Sequence, residues 1–255
     1  MCILFIAVNQ HDDYPLIIAA NRDEFHARPT ASSEYWQTQP ELLAGKDLKA
    51  GGTWMGVTRN GKVAALTNVR DPKTLRDDAR SRGELATQFL LGNDDHFTVA
   101  ARLQASKADY NGYNFLYGDW HNLHVYNNHL NETRHLSDGV HGLSNASLNA
   151  PWPKVTQGMQ ELTEYCQNGH DIEEEALFSI LACDKKAEDH SLPNTGVPYE
   201  WEKQLSSIFI QGEDYGTRCS TLLLVDKQRK VSWTERSFSP AGEVIGQKHF
   251  DFIIE

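Results

Sequence analysis

The chain alternates between short apolar runs and longer amphipathic stretches, and this pattern predicts both strands and helices. The apolar runs CILFIAVN, from position 2, and PLIIAANR, from position 15, flank the polar turn QHDDY and predict a β-hairpin. TWMGVT and KVAALTN, joined across Asn60-Gly61, predict a second hairpin with a type I′ turn. The amino-terminal quarter is therefore expected to be rich in strands.

Amphipathic runs predict helices near residues 82–92 and 96–105, and apolar residues at i, i+3 and i+4 predict two more in VTQGMQELTEYCQ and IEEEALFSILAC. Between these pairs, YNFLYGD, NLHVYNN and TRHLS are typical of an antiparallel meander. The carboxy-terminal part returns to predicted strands in SSIFIQ, TRCSTLLLVD, KVSWTERSF and HFDFIIE.

The order of elements decides the fold class. Strands and pairs of helices follow one another without a regular βαβ alternation, which argues against a doubly wound parallel sheet. CILFIAV and TLLLV are apolar on both faces, as expected of strands buried between layers. We expect an α+β fold of two mainly antiparallel sheets with helices outside, forming a single domain over residues 1–255. The polar stretch 184–200 is long enough to be a lid or a binding loop.

Composition excludes several classes of function. The chain has 255 residues and a net charge of −11, which argues against a nucleic-acid partner because such partners need clustered Lys and Arg. The four cysteines lack the spacing of a zinc site or a disulfide framework, and the histidines of HNLHVYNNH lack tight ligand spacing. We expect no metal site and no required cofactor.

The apolar start is too short for a signal peptide or a membrane span, and no later run is long enough to cross a membrane. The expected location is the reducing cytoplasm, where Cys2 remains a thiol. A cysteine at position two is either a small buried strand residue or a nucleophile exposed when Met1 is removed.

Polar residues at the ends of buried strands are the candidates for a functional site. AANRDEF places Arg22 and Asp23 directly after an apolar run. Asn68 ends KVAALTN, Asn145 lies in the small-residue turn of HGLSNASLNAPWPK, and Arg218 leads into TRCSTLLLV. A buried guanidinium or amide must be hydrogen-bonded, so each position is either functional or a stabiliser of a turn.

The motifs NRDE at 21–24, GGTW, LTN, YNG, GLSN, PW and GTR, in this order, resemble the NRDE family, which includes the transport and Golgi organisation protein 2 proteins. The resemblance covers nearly the whole chain. It implies the αββα four-layer sandwich of the N-terminal nucleophile hydrolases. One departure is the GKD at 45–47, where a GRD is common in the family.

The resemblance also implies roles for individual residues. The choloylglycine and penicillin V acylases on the same fold use a cysteine, an arginine, an aspartate, two asparagines and a late arginine. By order and motif these roles fall on Cys2, Arg22, Asp23, Asn68, Asn145 and Arg218. Loss of Met1 would give Cys2 a free α-amine that serves as base for its own thiol.

Two functions follow from the resemblance. The first is intracellular heme trafficking, or the handling of a related hydrophobic or acyl-type small molecule, with Trp54 and Trp152 lining an apolar pocket. Heme would then be a ligand. The alternative is a Cys2-dependent hydrolase of linear amide bonds. Whether the chain is an enzyme stays open at this point.

Overall fold

The computed structural model describes residues 2–168 and 171–255. Thirteen strands occur in these ranges: β1 (Cys2–Val8), β2 (Leu16–Phe25), β3 (Thr30–Trp36), β4 (Gln39–Asp47), β5 (Met55–Thr58), β6 (Lys62–Asn68), β7 (Tyr113–Asp119), β8 (Asn122–Asn127), β9 (Glu132–His135), β10 (Gly139–Leu143), β11 (Tyr215–Val225), β12 (Lys230–Phe238) and β13 (Val244–Ile253). The α-helices of the same ranges are α1 (Gly83–Leu91), α2 (His96–Ala105), α3 (Pro153–Gln167), α4 (Glu174–Leu181) and α5 (Tyr199–Gln204).

The strands form two antiparallel sheets. The first, here called the Cys2 sheet, has the order β10-β1-β2-β11-β12-β13, and the second, the Asn68 sheet, has the order β3-β4-β5-β6-β7-β8-β9. Helices α3 and α4 pack on the outer face of the Cys2 sheet, and α1 packs on the Asn68 sheet. The predicted αββα sandwich of two mainly antiparallel sheets is confirmed.

Strand β1 shows why the first apolar run has no polar face. Leu4 and Ile6 lie in the core between the two sheets, whereas Ile3 and Phe5 lie in the core between the Cys2 sheet and its helices. Alternate residues of a strand point to opposite faces, so both sets must be apolar. Cys2 belongs to the set between the sheets, which places its sulfur at one end of the sandwich interior.

Most predicted elements are confirmed, but two details are wrong. The hairpin of β5 and β6 does not use a type I′ turn, because Gly61 has a positive φ of 86° and Asn60 does not. The amide of Gly61 donates to the carbonyl oxygen of Thr58 at 2.9 Å, which gives a three-residue loop ending in a left-handed glycine.

The second error is SSIFIQ, which forms no strand. Ile208 lies in the core beneath α4, and Ile210 lies in a small cluster with Tyr215. The segment is apolar because it is buried, and burial alone does not require pairing with another strand. The described residues contain no helix with the length and apolar character needed to cross a membrane.

Candidate active site

Three neighbouring strands bring charged groups to the end of the sandwich where β1 begins. Cys2 pairs with Arg22 of β2, and Arg22 pairs on its other side with Cys219 of β11. Strand β10 runs antiparallel to β1 and pairs Leu143 with Leu4. Because antiparallel neighbours begin and end at opposite edges, the chain after β10 leaves the sheet at the same end as Cys2.

A cleft of about 530 Å³ opens at this end. We call it the Cys2 cleft. The predicted site residues that line it are Cys2, Arg22, Asp23, Trp54 and Asn68. They come from both sheets, so the cleft lies where the two layers meet.

Asn145 and Trp152 line a different cavity, of about 310 Å³, which we call the Trp152 pocket. The two cavities adjoin at a hydrogen bond in which Nδ2 of Asn145 donates to the carbonyl oxygen of Asn68 at 3.0 Å. Arg218 is not among the residues that line either cavity. Its Nη1 donates to the carbonyl oxygens of Phe25, His26 and Arg28, so it holds the loop after β2.

Cys2 is 9% exposed, and its thiol is poorly solvated. Burial raises the pKa of this thiol, and the charge of Asp23 raises it further, while Arg22 opposes the shift. Arg22 therefore does not by itself produce a thiolate at neutral pH. Nucleophilic use of this sulfur requires a proton acceptor in the cleft.

Arg22 is held rigidly. It is 5% exposed, its guanidinium stacks over the ring of Trp54 at 4.3 Å, and its Nη1 donates to Thr30 Oγ1 at 3.2 Å. Glu24 supplies the nearest carboxylate at 3.9 Å. The Trp54 ring fits here because β4 has Gly45, where a Cβ atom would lie 2.2 Å from the ring. Lys46, in the GKD stretch, lies over Trp36 instead.

Asp23 is 1% exposed, and its Oδ1 accepts from the hydroxyl of Thr217 at 2.7 Å. Burial raises the pKa of Asp23, whereas Lys154, the Thr217 hydrogen bond and Arg22 favour the carboxylate. Of the other two NRDE residues, Glu24 lines the cleft beside Arg22, and Asn21 is structural. The side-chain amide of Asn21 donates to the carbonyl oxygens of Leu181 and Ile208, which fixes the end of α4 and the segment after α5 to β2.

Lys154, which the sequence did not indicate, lines neither cavity, but it lies close enough for its charge to act on Asp23 and Cys2. It is 3% exposed, lies in the first turn of α3, and its Nζ is buried without a hydrogen-bond partner in the described residues. Burial lowers the pKa of Lys154 to about 8, although the charges of Asp23 and Cys2 act in the opposite direction. A cation at a helix amino terminus is also disfavoured by the helix dipole. The available signal was the lysine in PWPK at a predicted helix start.

Buried amides fix the Asn68 side of the cleft. The hydroxyl of Thr67 donates to the carbonyl oxygen of Ser144 at 2.5 Å, and Asn114 Nδ2 donates to the carbonyl oxygen of Ala146 at 2.7 Å. Asn127 in turn donates to Asn114 at 2.7 Å. This network ties the Asn68 sheet to the loop after β10, so that Asn68 and Asn145 keep their positions.

The side chains of Asn68 and Asn145 differ in whether they are free to hydrogen-bond a ligand. The amide of Asn145 is used by the carbonyl oxygen of Asn68 and by the hydroxyl of Ser144. The side chain of Asn68 faces the cleft, and no hydrogen bond from another described residue occupies it. Asn68 is thus the better candidate to donate to a ligand, with Asn145 positioning it. Within residues 2–168 and 171–255, no group of three or more His, Cys, Asp or Glu side chains is placed to hold a metal ion.

Comparisons with known proteins identify the family. The family described as Transport and Golgi organisation 2 matches residues 1–240. The Transport and Golgi organization protein 2 homolog of Bos taurus is 35% identical over 257 residues, covering 93% of both chains. The Homo sapiens homolog is 33% identical with the same coverage.

Solved structures that resemble this chain include the C2A mutant of a conjugated bile acid hydrolase from Clostridium perfringens. It shares 8% identity with a TM-score of 0.44, covering 98% of this chain and 92% of that one. A Caenorhabditis elegans ortholog of N-acylethanolamine-hydrolyzing acid amidase has 9% identity and a TM-score of 0.42, covering 88% and 92%. The full-length identity to the curated homologs confirms the family expected from the NRDE motifs, and the chain belongs to the Transport and Golgi organisation 2 family.

Proposed function

We propose that this chain is a Cys2-dependent hydrolase of linear amide bonds. The observation that carries the proposal is that Cys2, Arg22, Asp23 and Asn68 line one cleft of about 530 Å³. A nucleophile, a cation, a carboxylate and an amide donor within one cavity are the groups that acyl transfer needs. The small-molecule partner would be an amide substrate, and the expected location remains the cytoplasm.

In the proposed reaction the Cys2 sulfur attacks the amide carbonyl carbon. Its proton passes to the α-amine of Cys2, which is free once Met1, outside the described residues, has been removed. The Asn68 amide donates to the oxygen that becomes negative in the tetrahedral intermediate. The C–N bond then breaks, the amine leaves with the proton, and water hydrolyses the thioester to release the acid and restore the thiol.

Two variants test the proposal. Cys2 and Cys219 are both buried and flank Arg22 from opposite sides, but only Cys2 lines the cleft. With the 4-nitroanilides of butyric and succinic acid as probes, Cys2→Ala should lose at least about a thousandfold in turnover. Cys219→Ala should keep the parental rate. Equal turnover by the parent and Cys2→Ala would make the proposal wrong.

The second candidate function is the handling of a hydrophobic small molecule such as heme, the trafficking role that the family resemblance implies. The Trp152 pocket favours it, because Trp152, Leu130 and Val69 offer apolar surface beside the imidazole of His129. Titration with hemin should then shift the Soret band. Trp152→Ala and His129→Ala should abolish the shift, and His121→Ala, also at an exposed histidine, should retain it. A shift that disappears only in Cys2→Ala would instead assign the ligand to the Cys2 thiolate.

A further inference from the structure

The Cys2 cleft is basic although the chain as a whole is acidic. Its lining includes six basic side chains, Arg22, Arg28, Lys49, Arg76, Arg80 and Arg82, against four acidic ones, Asp23, Glu24, Asp47 and Asp77. The whole chain carries a net charge of −11. A locally positive cavity in a negative protein concentrates anions at that cavity.

Two of these basic groups form close ion pairs with protein carboxylates, and a third lies near one. Arg28 binds Asp47 at 2.7 Å, and Arg80 binds Glu84 at 2.7 Å. Arg22 has Glu24 at 3.9 Å. Arg28 and Arg80 are therefore part of the wall of the cleft, and Arg22 is held beside Cys2 by Trp54 and Thr30.

Arg82 has no such partner. Its Nη1 donates to the carbonyl oxygen of Gly112 at 3.0 Å, and in the described part of the chain no carboxylate forms an ion pair with it. Burial lowers the pKa of Arg82, while the charges of Glu24 and Cys2 act through space to favour the cation. A half-buried guanidinium that remains charged without a carboxylate is well suited to an anion from outside.

The segment that carries Arg82, residues 76–82, is fixed before any ligand arrives. The backbone N–H of Arg76 donates to Oδ1 of Asn111 at 2.9 Å, and Nδ2 of Asn111 donates back to the carbonyl oxygen of Arg76 at 2.9 Å. The backbone N–H of Arg80 donates to the carbonyl oxygen of Asp109 at 2.9 Å. Gly52 packs directly on Gly83, where a Cβ atom on Gly52 would lie 2.5 Å from the Gly83 carbonyl carbon. Such preorganisation lowers the entropy lost when a ligand binds.

We infer that the Cys2 cleft takes amides that carry a carboxylate or phosphate group, and that Arg82 binds this anionic group. Arg76 and Lys49 line the same cleft, and Nη2 of Arg76 donates to the carbonyl oxygen of Ala108 at 2.6 Å. Neither Arg76 nor Lys49 forms an ion pair with another described residue. The inference rests on the proposed function for the amide part of the ligand. Binding of the anionic group itself requires no turnover.

Calorimetric titration of Cys2→Ala separates the inference from the proposed reaction. The probes are succinamate, which carries one amide and one carboxylate, and succinamide, its neutral counterpart. Succinamate should bind at least about tenfold more tightly, since hydrogen bonds to charged groups are the stronger ones. 3-Phosphonopropionamide then distinguishes the two anions, because the tighter of the two acids identifies the group that the cleft prefers.

Arginine variants in the Cys2→Ala background complete the test. Adding Arg82→Gln should reduce succinamate affinity about tenfold and leave succinamide binding unchanged. Adding Arg134→Gln, an exposed arginine paired with Glu132 on β9, should change neither. The inference is wrong if succinamate binds no better than succinamide, if it fails to bind up to about 10 mM, or if Arg82→Gln weakens both probes equally. Turnover of the 4-nitroanilides by the chain with Cys2 intact would still stand in that case.

Discussion

The Cys2 cleft and the Trp152 pocket lie on either side of one contact, between Asn145 and Asn68, yet they are lined by different chemistry. The cleft of about 530 Å³ has a thiol, a buried carboxylate and a surplus of basic groups. The pocket of about 310 Å³ has an indole, and beneath it Arg70 stacks on that ring at 4.9 Å. The cleft therefore gathers ionisable groups, whereas the pocket combines one aromatic ring with mostly polar neighbours.

The largest expected effect concerns the pocket side. Arg70 binds Glu202 at 2.7 Å with both side chains buried, and Glu202 also accepts from the amide of Thr195 at 2.7 Å. Glu202→Gln leaves Arg70 buried without a countercharge and should lower the free energy of unfolding by about 3–5 kcal/mol. Urea denaturation measures this change.

Glu200→Gln, at an exposed position of the same helix α5, serves as the control and should shift the free energy of unfolding by no more than about 0.5 kcal/mol. At temperatures where Glu202→Gln stays folded, its amide turnover should remain close to the parental value. A large loss of turnover there would show that the two regions function as one site.

The next effect concerns the cleft side. Asn68→Ala should lower amide turnover by about a hundredfold to a thousandfold, because one oxyanion donor is lost. Stability should change little, since Asn145 binds the backbone carbonyl oxygen of Asn68, which the variant retains. Asn194→Ala, at an exposed asparagine of the Trp152 pocket, is the matched control and should keep the parental turnover. Equal rates for the two variants would remove Asn68 from the mechanism.

The smallest expected effect on stability concerns Lys154, whose pKa is influenced by the charge of Asp23 on the cleft side and of Arg70 on the pocket side. Its pKa is about 8 in the folded chain, against 10.5 ordinarily. Between these values the unfolded chain binds more protons, so the parent gains stability as pH rises through this window. Below pH 8 the cost of the buried charge is fully present.

Lys154→Met should therefore raise the free energy of unfolding at pH 7 by about 1–3 kcal/mol, and this gain should disappear as the pH approaches 10.5. Urea unfolding at several pH values measures the difference between variant and parent. Lys185→Met, at an exposed lysine, should show no such pH dependence. A gain independent of pH would mean that packing, and not charge, is the cause.

The sequence predicts the lining of the Cys2 cleft better than that of the Trp152 pocket, because the cleft residues belong to short motifs at the ends of predicted strands. The cleft is lined by residues at the ends of clearly apolar runs that the sequence shows to be strands, namely Cys2, Arg22, Asp23 and Asn68. Once these strands pair, the four side chains lie at the same end of the sandwich. Trp54 was predictable from GGTW for a similar reason. Strands β3 and β4 were missed because they are mixed in polarity at their outer ends, and α5 because it follows a long polar loop.

The unpredicted parts depend on contacts between distant segments. Lys154 is buried by α3 packing on the Cys2 sheet, and Arg82 is placed by the hydrogen bond that its guanidinium donates to the carbonyl oxygen of Gly112. No local pattern reports such contacts. For Arg218 the local motif was misleading. GTR suggested a place in the cleft, but the guanidinium of Arg218 donates to backbone carbonyl oxygens of the loop from Phe25 to Arg28.

The most direct test of Cys2 as a nucleophile is the mass of the intact chain after rapid mixing with butyryl-4-nitroanilide and quenching in acid. A chain without Met1 should gain one butyryl group, and the thioester should map to the amino-terminal peptide that begins at Cys2. The same adduct should be absent from Cys2→Ala and present in Cys219→Ala. Hydrolysis of the amide by a chain that keeps Met1, or an acyl group on the half-buried Cys183, would show that Cys2 is not the nucleophile.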